Sequence, residues 1–223
     1  MFATVLDILI TYRMAFFDGL IVTLELCAII WTVGILIGTT LGIFAARHHR
    51  IIGIAARIIS FFLGAVPLLV FMFWLHYPVQ AMFNVVINPF YTAAFTLTFL
   101  NIFGVADLIR TALDDFPTQY TTAARVTGLT RRQIILNIQL PLIFRSILPS
   151  LLLLQVAMLH ATLFTSMISV EELFRVAQRI NAQIYKPIEI YTALGIFFLA
   201  ICLPVNFFAL WFKNKYTRNV SER

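Results

Sequence analysis

The sequence predicts an all-α membrane protein with about five transmembrane helices and no soluble domain, and three observations carry that prediction. The chain is 61% hydrophobic and only 12% charged, with a mean hydropathy of +0.93. Soluble domains average about 45–50% apolar and about 25% charged residues, so a bilayer suits this composition better than water. Five apolar runs are long enough to cross a hydrocarbon core of about 30 Å, which takes about 20 residues as helix. Lys and Arg gather in alternate connections, twelve on one side against four on the other.

The elements follow in order. The opening 15 residues are apolar enough to lie along an interface but too short to cross. The first span covers about residues 17–46, with Glu25 its only charge after Asp18. The second covers about 51–77, with Arg57 near its start, and the third about 89–113, with Asp107 and Arg110 near its end. The fourth, about 147–170, and the fifth, about 190–212, carry no charge. Residues 171–189 are expected to form a short helix and loop, with Pro187 setting up the last span. The richer basic side holds Arg47, Arg50, Arg57, Arg110, Arg125, Arg131, Arg132, Arg145, Lys213, Lys215, Arg218 and Arg223. The other side holds Arg13, Arg175, Arg179 and Lys186. By the positive-inside rule the amino terminus is then outside and the carboxyl terminus cytoplasmic. No internal repeat stands out, so residues 1–223 read as a single transmembrane domain, with a cytoplasmic loop at 114–141 inside it.

Several functional classes lose support at once. The net charge is +6, but the cations are dispersed through loops without the aromatic-interleaved basic stripe of a nucleic-acid binder. Cys27 and Cys202 each sit inside an apolar run, without a CxxC or Cys/His cluster, which supports neither a metal site nor a disulfide framework. The first residues lack the basic region and small-residue cleavage site of a secretory signal. There is no G-x4-G-K-[ST] phosphate loop, no HExxH and no G-x-S-x-G. Only His160 offers itself for catalysis within the spans, without a partner.

The stretch 121–149, TTAARVTGLTRRQIILNIQLPLIFRSILP, is polar and basic between two apolar runs. Ala123, Ala124, Gly128, Ile138, Leu140 and Pro141 fall in it at the spacing A-A-x3-G-x9-I-x-L-P. Small Ala123 and Ala124 let a helix sit close to a partner. Gly128 suits a helix end with positive φ, and Pro141 suits the start of the next helix. This pattern resembles the EAA loop of the membrane subunits of bacterial ABC importers. The resemblance implies that Thr122, Ala123, Ala124, Arg125, Gly128, Leu129, Arg131, Arg132 and Pro141 couple the chain to a cytoplasmic ATPase.

The likeness extends over about residues 18–212 and is to the polar amino-acid uptake subfamily, of histidine, arginine, glutamine and cystine type. Gly19-Leu20-Ile21-Val22-Thr23-Leu24 resembles its G-x-x-V-T-L, and Pro67-Leu68-Leu69-Val70 its T-P-L-L-V. Ala106-Asp107-Leu108-Ile109-Arg110 is similar to A-E-x-x-R, and Pro117 and Gln119 fit the lead-in to the loop. Ser166-Met167-Ile168-Ser169-Val170 with Glu172-Leu173 is similar to S-V-I-G-V-P-E-L. The resemblance implies an ABC importer type I permease fold. It also implies a second permease chain, a cytoplasmic ABC ATPase dimer carrying ATP and Mg, an extracytoplasmic solute-binding protein, surrounding lipid, and no cofactor on this chain. The chain departs from the family's pattern elsewhere. The EAA glutamate is Thr122. E-x-F-R-G-T-P becomes Phe61-Phe62-Leu63-Gly64-Ala65-Val66-Pro67, and K-D-T-S-L becomes His160-Ala161-Thr162-Leu163-Phe164. At the family's N-S-G-A-Y stands Leu100-Asn101-Ile102-Phe103-Gly104. Two readings follow: a partner permease supplies the solute contacts, or the solute is less polar.

Glu25, Asn101, His160 and Thr162 are the candidate translocation-path residues, since polar groups inside a membrane are functional candidates by default. His160 reads equally as a neutral histidine hydrogen-bonded across helices, and Glu25 as a residue reaching the headgroups. Asp107 and Arg110, at i and i+3, are expected to pair on one helix face. Gly34, Gly38 and Gly42 form a G-x3-G-x3-G row for close helix packing, within the chain or against a second permease. An ATP-independent channel or carrier and a non-transporting partner of the same fold are the alternatives.

Overall fold

The computed structural model describes residues 2–217. Arg218 and Arg223, counted among the inner-side charges, lie outside the described residues. Among those described, the chain is helical from end to end. Helix α1 (Phe2–Thr11) runs almost directly into α2 (Arg13–Arg47). Hydrogen bonds from Tyr12 N–H to the Ile8 carbonyl and from Phe16 N–H to the Tyr12 carbonyl carry the ladder across the joint. The opening residues form a helix of their own that packs onto the bundle, short of a span. Val5 and Ile8, three apart on one helix face, are buried, and Ile8 joins Phe16 in a cluster with Leu173, Val176 and Ile190.

The closest helix pair is α2 with α6 (Pro89–Asp114). A Cβ on Gly34 would collide with the Asn101 side chain. One on Gly38 would lie 2.7 Å from the Ile102 carbonyl, and one on Gly42 2.7 Å from the Ala106 carbonyl. The glycine row is thus a packing seam within the chain. Contacts advance in the same sense along both helices, so α2 and α6 run parallel. The segment between them must then recross the membrane.

That recrossing is not the single helix expected over 51–77. After a wide turn at His49–Gly53, α3 (Ile54–Ala65) stops, and the chain resumes at 99° over Leu68–Met82. The second leg consists of α4 (Leu68–Trp74), a wide turn over Leu75–Val79 that accommodates Pro78, and α5 (Gln80–Met82). The cause is Pro67. It has no N–H to donate, and its ring drives the preceding residue out of the helical region; Val66 sits at φ −92°, ψ 125°. Hydropathy measures apolar content and does not see this break. Asn88 then caps α6 by accepting from Phe90 N–H at 2.9 Å, with Pro89 in the first turn.

The fourth span starts far earlier than expected. Helix α7 (Thr118–Val126) and a turn lead to α8 (Arg131–Ile134), which continues through a wide turn at Ile135–Gln139 into α9 (Leu140–Ala161). A tight 3-10 segment, Thr162–Ile168, finishes the run. Pro141 stands in the first turn of α9, as expected, and the wide turn just before it, which joins α9 to α8, absorbs the missing donor. The rod runs antiparallel to α6, burying Ile143 and Ile147 against Val105 and Ile109. Helix α10 (Leu173–Ile184) is the expected short helix, and α11 (Pro187–Thr217) closes the bundle, starting at Pro187.

Since a Cβ at Gly38 would meet backbone, Gly38→Ala should lower stability by about 1–3 kcal/mol through overpacking. Gly195→Ala in α11, with nothing within 4 Å of its Cβ, should be neutral or slightly stabilising. Thermal melting of both variants in detergent separates a packing seam from a merely glycine-rich helix.

Candidate functional site

The loop singled out in the sequence is a helix–turn–helix with both inner ends capped. Helix α7 ends on Gly128 at φ +81°, a left-handed position where a side chain is strained. Gly128 N–H donates to the Arg125 carbonyl at 3.0 Å and Leu129 N–H to the Ala124 carbonyl at 3.2 Å, which is the Schellman arrangement. Thr130 then starts α8 with a reciprocal cap. Its N–H donates to Gln133 Oε1 at 2.9 Å, and Gln133 N–H donates to Thr130 Oγ1 at 3.4 Å. The signal for this second cap, T-x-x-Q ahead of an apolar run, was present in the sequence but not among the residues singled out there.

The element divides its residues cleanly. Ala124 and Ile134 are buried and hold it together. Thr122, Ala123, Arg125, Gly128, Arg131, Arg132 and Pro141 are exposed, and Leu129 is half-buried. Val126 is 83% exposed beside the arginines, and Ile135, Leu136 and Leu140 extend the apolar surface along the same rod. The element thus presents a capped turn, an apolar patch and three cations on its exposed side.

The four candidate path residues are not brought together. Asn101 has no exposed surface and is a clamp between three helices. Its Nδ2 donates to the Ile30 carbonyl and to Gln155 Oε1, both at 2.9 Å, and its Oδ1 accepts from Gln155 Nε2 at 3.3 Å. Trp31 Nε1 donates to the Gln155 carbonyl at 3.2 Å. Gln155, which nothing in the sequence pattern marked out, is thus the residue that makes Asn101 structural. Thr162 is equally buried and donates back to the Leu159 carbonyl at 2.7 Å. Glu25 and His160 are exposed. His160 Nε2 lies 3.3 Å from Cys202 Sγ across α9 and α11, the cross-helix contact that was one of its two readings.

The expected ion pair is present and larger than expected. Arg110 donates from Nη2 to Asp107 Oδ1 at 3.2 Å and from Nη1 to Asp114 Oδ2 at 3.3 Å. At the other end of the bundle, two motifs distant in sequence meet. A Cβ on Gly19 would stand 2.8 Å from Val176 Cγ2, so α10 lies directly on α2. Thr23 Oγ1 accepts from Leu173 N–H at 3.1 Å. The Glu172 carboxylate accepts from Phe174 N–H at 2.9 Å and Arg175 N–H at 2.8 Å. Three donors at the start of α10 are so satisfied. Glu172 is fully buried and lies outside the spans. Burial pushes its carboxyl up to about 7, Glu171 adds to the rise, and the two N–H bonds oppose it.

Known proteins resemble this chain in sequence and in fold. The family model described as binding-protein-dependent transport system inner membrane component matches residues 38–218. The chain is 28% identical over 178 residues to the glutamine transport system permease protein GlnP of Escherichia coli, covering 78% of each. It is 25% identical over 215 residues to the histidine/lysine/arginine/ornithine transport system permease protein HisQ of Salmonella typhimurium, covering 92% of this chain and 94% of that protein. A crystal structure of an amino acid ABC transporter with histidines superposes with a TM-score of 0.82 at 24% identity, over 93% of this chain and 96% of that one. The type I permease fold implied by the sequence is the fold found.

Two outcomes test the buried polar groups. Asn101→Leu strands the Gln155 amide and should cost about 1–2 kcal/mol, and adding Gln155→Leu should recover part of the loss in thermal melts. For Glu172 the folded value lies above the ordinary 4.5, so the native state holds the proton more tightly. Stability must fall as pH rises from about 4.5 through about 7, then level off. Melting temperature measured from acid to mildly alkaline pH should show this slope in the wild type, and Glu172→Gln should flatten it.

Proposed function

The chain belongs to the family of binding-protein-dependent transport system inner membrane components, and we propose that it is the permease subunit of an ATP-driven importer for an amino acid or similar small polar solute. It is a multi-pass protein of the inner membrane. The observation that carries the reading is the doubly capped helix–turn–helix between α6 and α9, with exposed Val126, Arg125, Arg131 and Arg132. A partner ATPase, holding ATP and Mg, grips this element, which extends over residues 114–141. When ATP closes the ATPase pair, the thrust passes along the rod from α8 into α9. The spans of two permease chains then rock and open a central path toward the outside, where a solute-binding protein delivers its cargo.

The excess of Lys and Arg on the α2–α3, α6–α9 and carboxyl-terminal connections supports an outer amino terminus and a cytoplasmic carboxyl terminus. The solute class rests on the names of the similar permeases. Of the four path candidates, Glu25 and His160 have the surface to meet a solute. Asn101 acts by holding the helices around it, and Thr162 bonds back into its own helical run.

The test is a mild-detergent pull-down of the tagged chain, followed by identification of co-eluting subunits and ATPase activity. A cytoplasmic ATPase and a second permease chain should be recovered. Gly128→Val forces a β-branched residue into the left-handed region, at about 1–2 kcal/mol or more, and should reduce ATPase recovery at least about tenfold. Gly128→Asn tolerates that region and should retain it. A chain that elutes alone, or that ignores Gly128→Val, overturns the coupling assignment.

A further inference from the structure

We propose that the cleft at the inner end of α2 binds the headgroup of an anionic phospholipid. The cleft encloses about 560 Å³ and is lined by Ile43 and Arg47 of α2, Leu113 and Asp114 of α6, and Arg131 and Gln139 of the coupling rod. Arg47 and Arg131 come from elements far apart in sequence. Neither guanidinium has an ion-pair or hydrogen-bond partner among the described residues. The lining carboxylate, Asp114, is already bonded to Arg110 at 3.3 Å. Counting Arg110 and Asp107 with the lining groups, three cations stand against two carboxylates, a net charge of +1, and the two unpaired guanidiniums on one cavity favour an anion between them. The surroundings add to this field. No acidic residue occurs between Glu25 and Asp107, and the wide turn after α2 contributes Arg50.

The walls decide which anion. Ile43, 46% exposed, stands one helical turn on the apolar side of Arg47, where α2 leaves the hydrocarbon, and Leu113 and Ile135 complete the apolar wall. A phosphodiester offers two oxygens to two guanidiniums, its headgroup hydroxyls meet the Gln139 amide, and its acyl chains run along Ile43 and Ile135. A free phosphate uses the cations but leaves the apolar wall bare. A headgroup held between Arg47 and Arg131 ties the coupling rod to the end of α2. The site does not depend on what the chain transports, and its test reads lipid binding, so its failure is separate from failure of the transport reading.

The complex purified with its co-eluting subunits is titrated with fluorescent short-chain phosphatidylglycerol, with the phosphatidylcholine analogue as comparison and inorganic phosphate as competitor. Phosphatidylglycerol should bind more tightly. Arg47→Gln and Arg131→Gln should each weaken it about fivefold, leaving phosphatidylcholine unchanged, and Arg57→Gln, which does not line the cleft, less than about twofold. Arg47→Lys should keep the preference. If Arg131→Gln disturbs assembly, Arg47→Gln decides alone. Equal affinity for the two lipids, indifference to Arg47→Gln, or full displacement by millimolar inorganic phosphate overturns the proposal; the last outcome marks a site for free anions.

Discussion

Backbone contact between α2 and α6 is the constraint on which the rest of this structure depends. In a bilayer, helices gain no hydrophobic energy from touching one another, because lipid is as apolar as they are. Close approach, dispersion and interhelical hydrogen bonds must hold the bundle. Gly34, Gly38 and Gly42 provide the approach by removing the atoms that would keep α6 away. Gly34 has a second consequence, since the space its missing Cβ leaves is filled by Asn101. From there the amide reaches the Ile30 carbonyl and Gln155, so one seam fixes α2, α6 and α9 together.

The same helix organises the other end. Gly19 and Thr23 on α2 receive α10, and Glu172 completes its cap. Helix α2 thus serves as a spine, contacted by α6 along its middle, by α10 near its start, and by the recrossing segment at Gly53, where a Cβ would stand 2.7 Å from the Ala45 carbonyl. Glycine recurs because each of these contacts brings one backbone against another. Against this fixed spine stand the interruptions of regular helix: the bend at Pro67 and the wide turns at His49–Gly53, Leu75–Val79 and Ile135–Gln139. The last of these separates the capped turn from the span that follows it.

Much of the architecture was legible in the sequence, and for local reasons. The limits of α6 followed from hydropathy. The positive φ of Gly128 followed from a glycine at the end of a helical pattern, and the Asp107–Arg110 pair from its spacing. The short helix before the last span and its start at Pro187 were expected on the same grounds. The misses have physical reasons too. The rod from Arg131 to Ile168 was read as beginning at residue 147 because its first turn is basic and Arg145 interrupts the apolar run, and hydropathy registers composition and not helix continuity. Pro67 sat inside an apolar run that looked long enough to cross by itself.

The sequence by itself determined the fold class, the order of the spans, the capped turn between the third and fourth, and the membership that its motifs resemble. Each of these is set by residues within a few turns of one another, by apolar length, by glycine and proline at fixed offsets, or by charge in the connections. Only the tertiary structure decided that the glycine row faces α6, that Asn101 and Thr162 are sealed while Glu25 and His160 keep surface, and that Gly19 and Thr23 meet Glu172 and Leu173. Those facts depend on which face of one helix meets which face of another. A helix periodic in sequence presents several faces, and in an apolar solvent the choice among them falls to shape and to hydrogen-bond partners as much as 150 residues away.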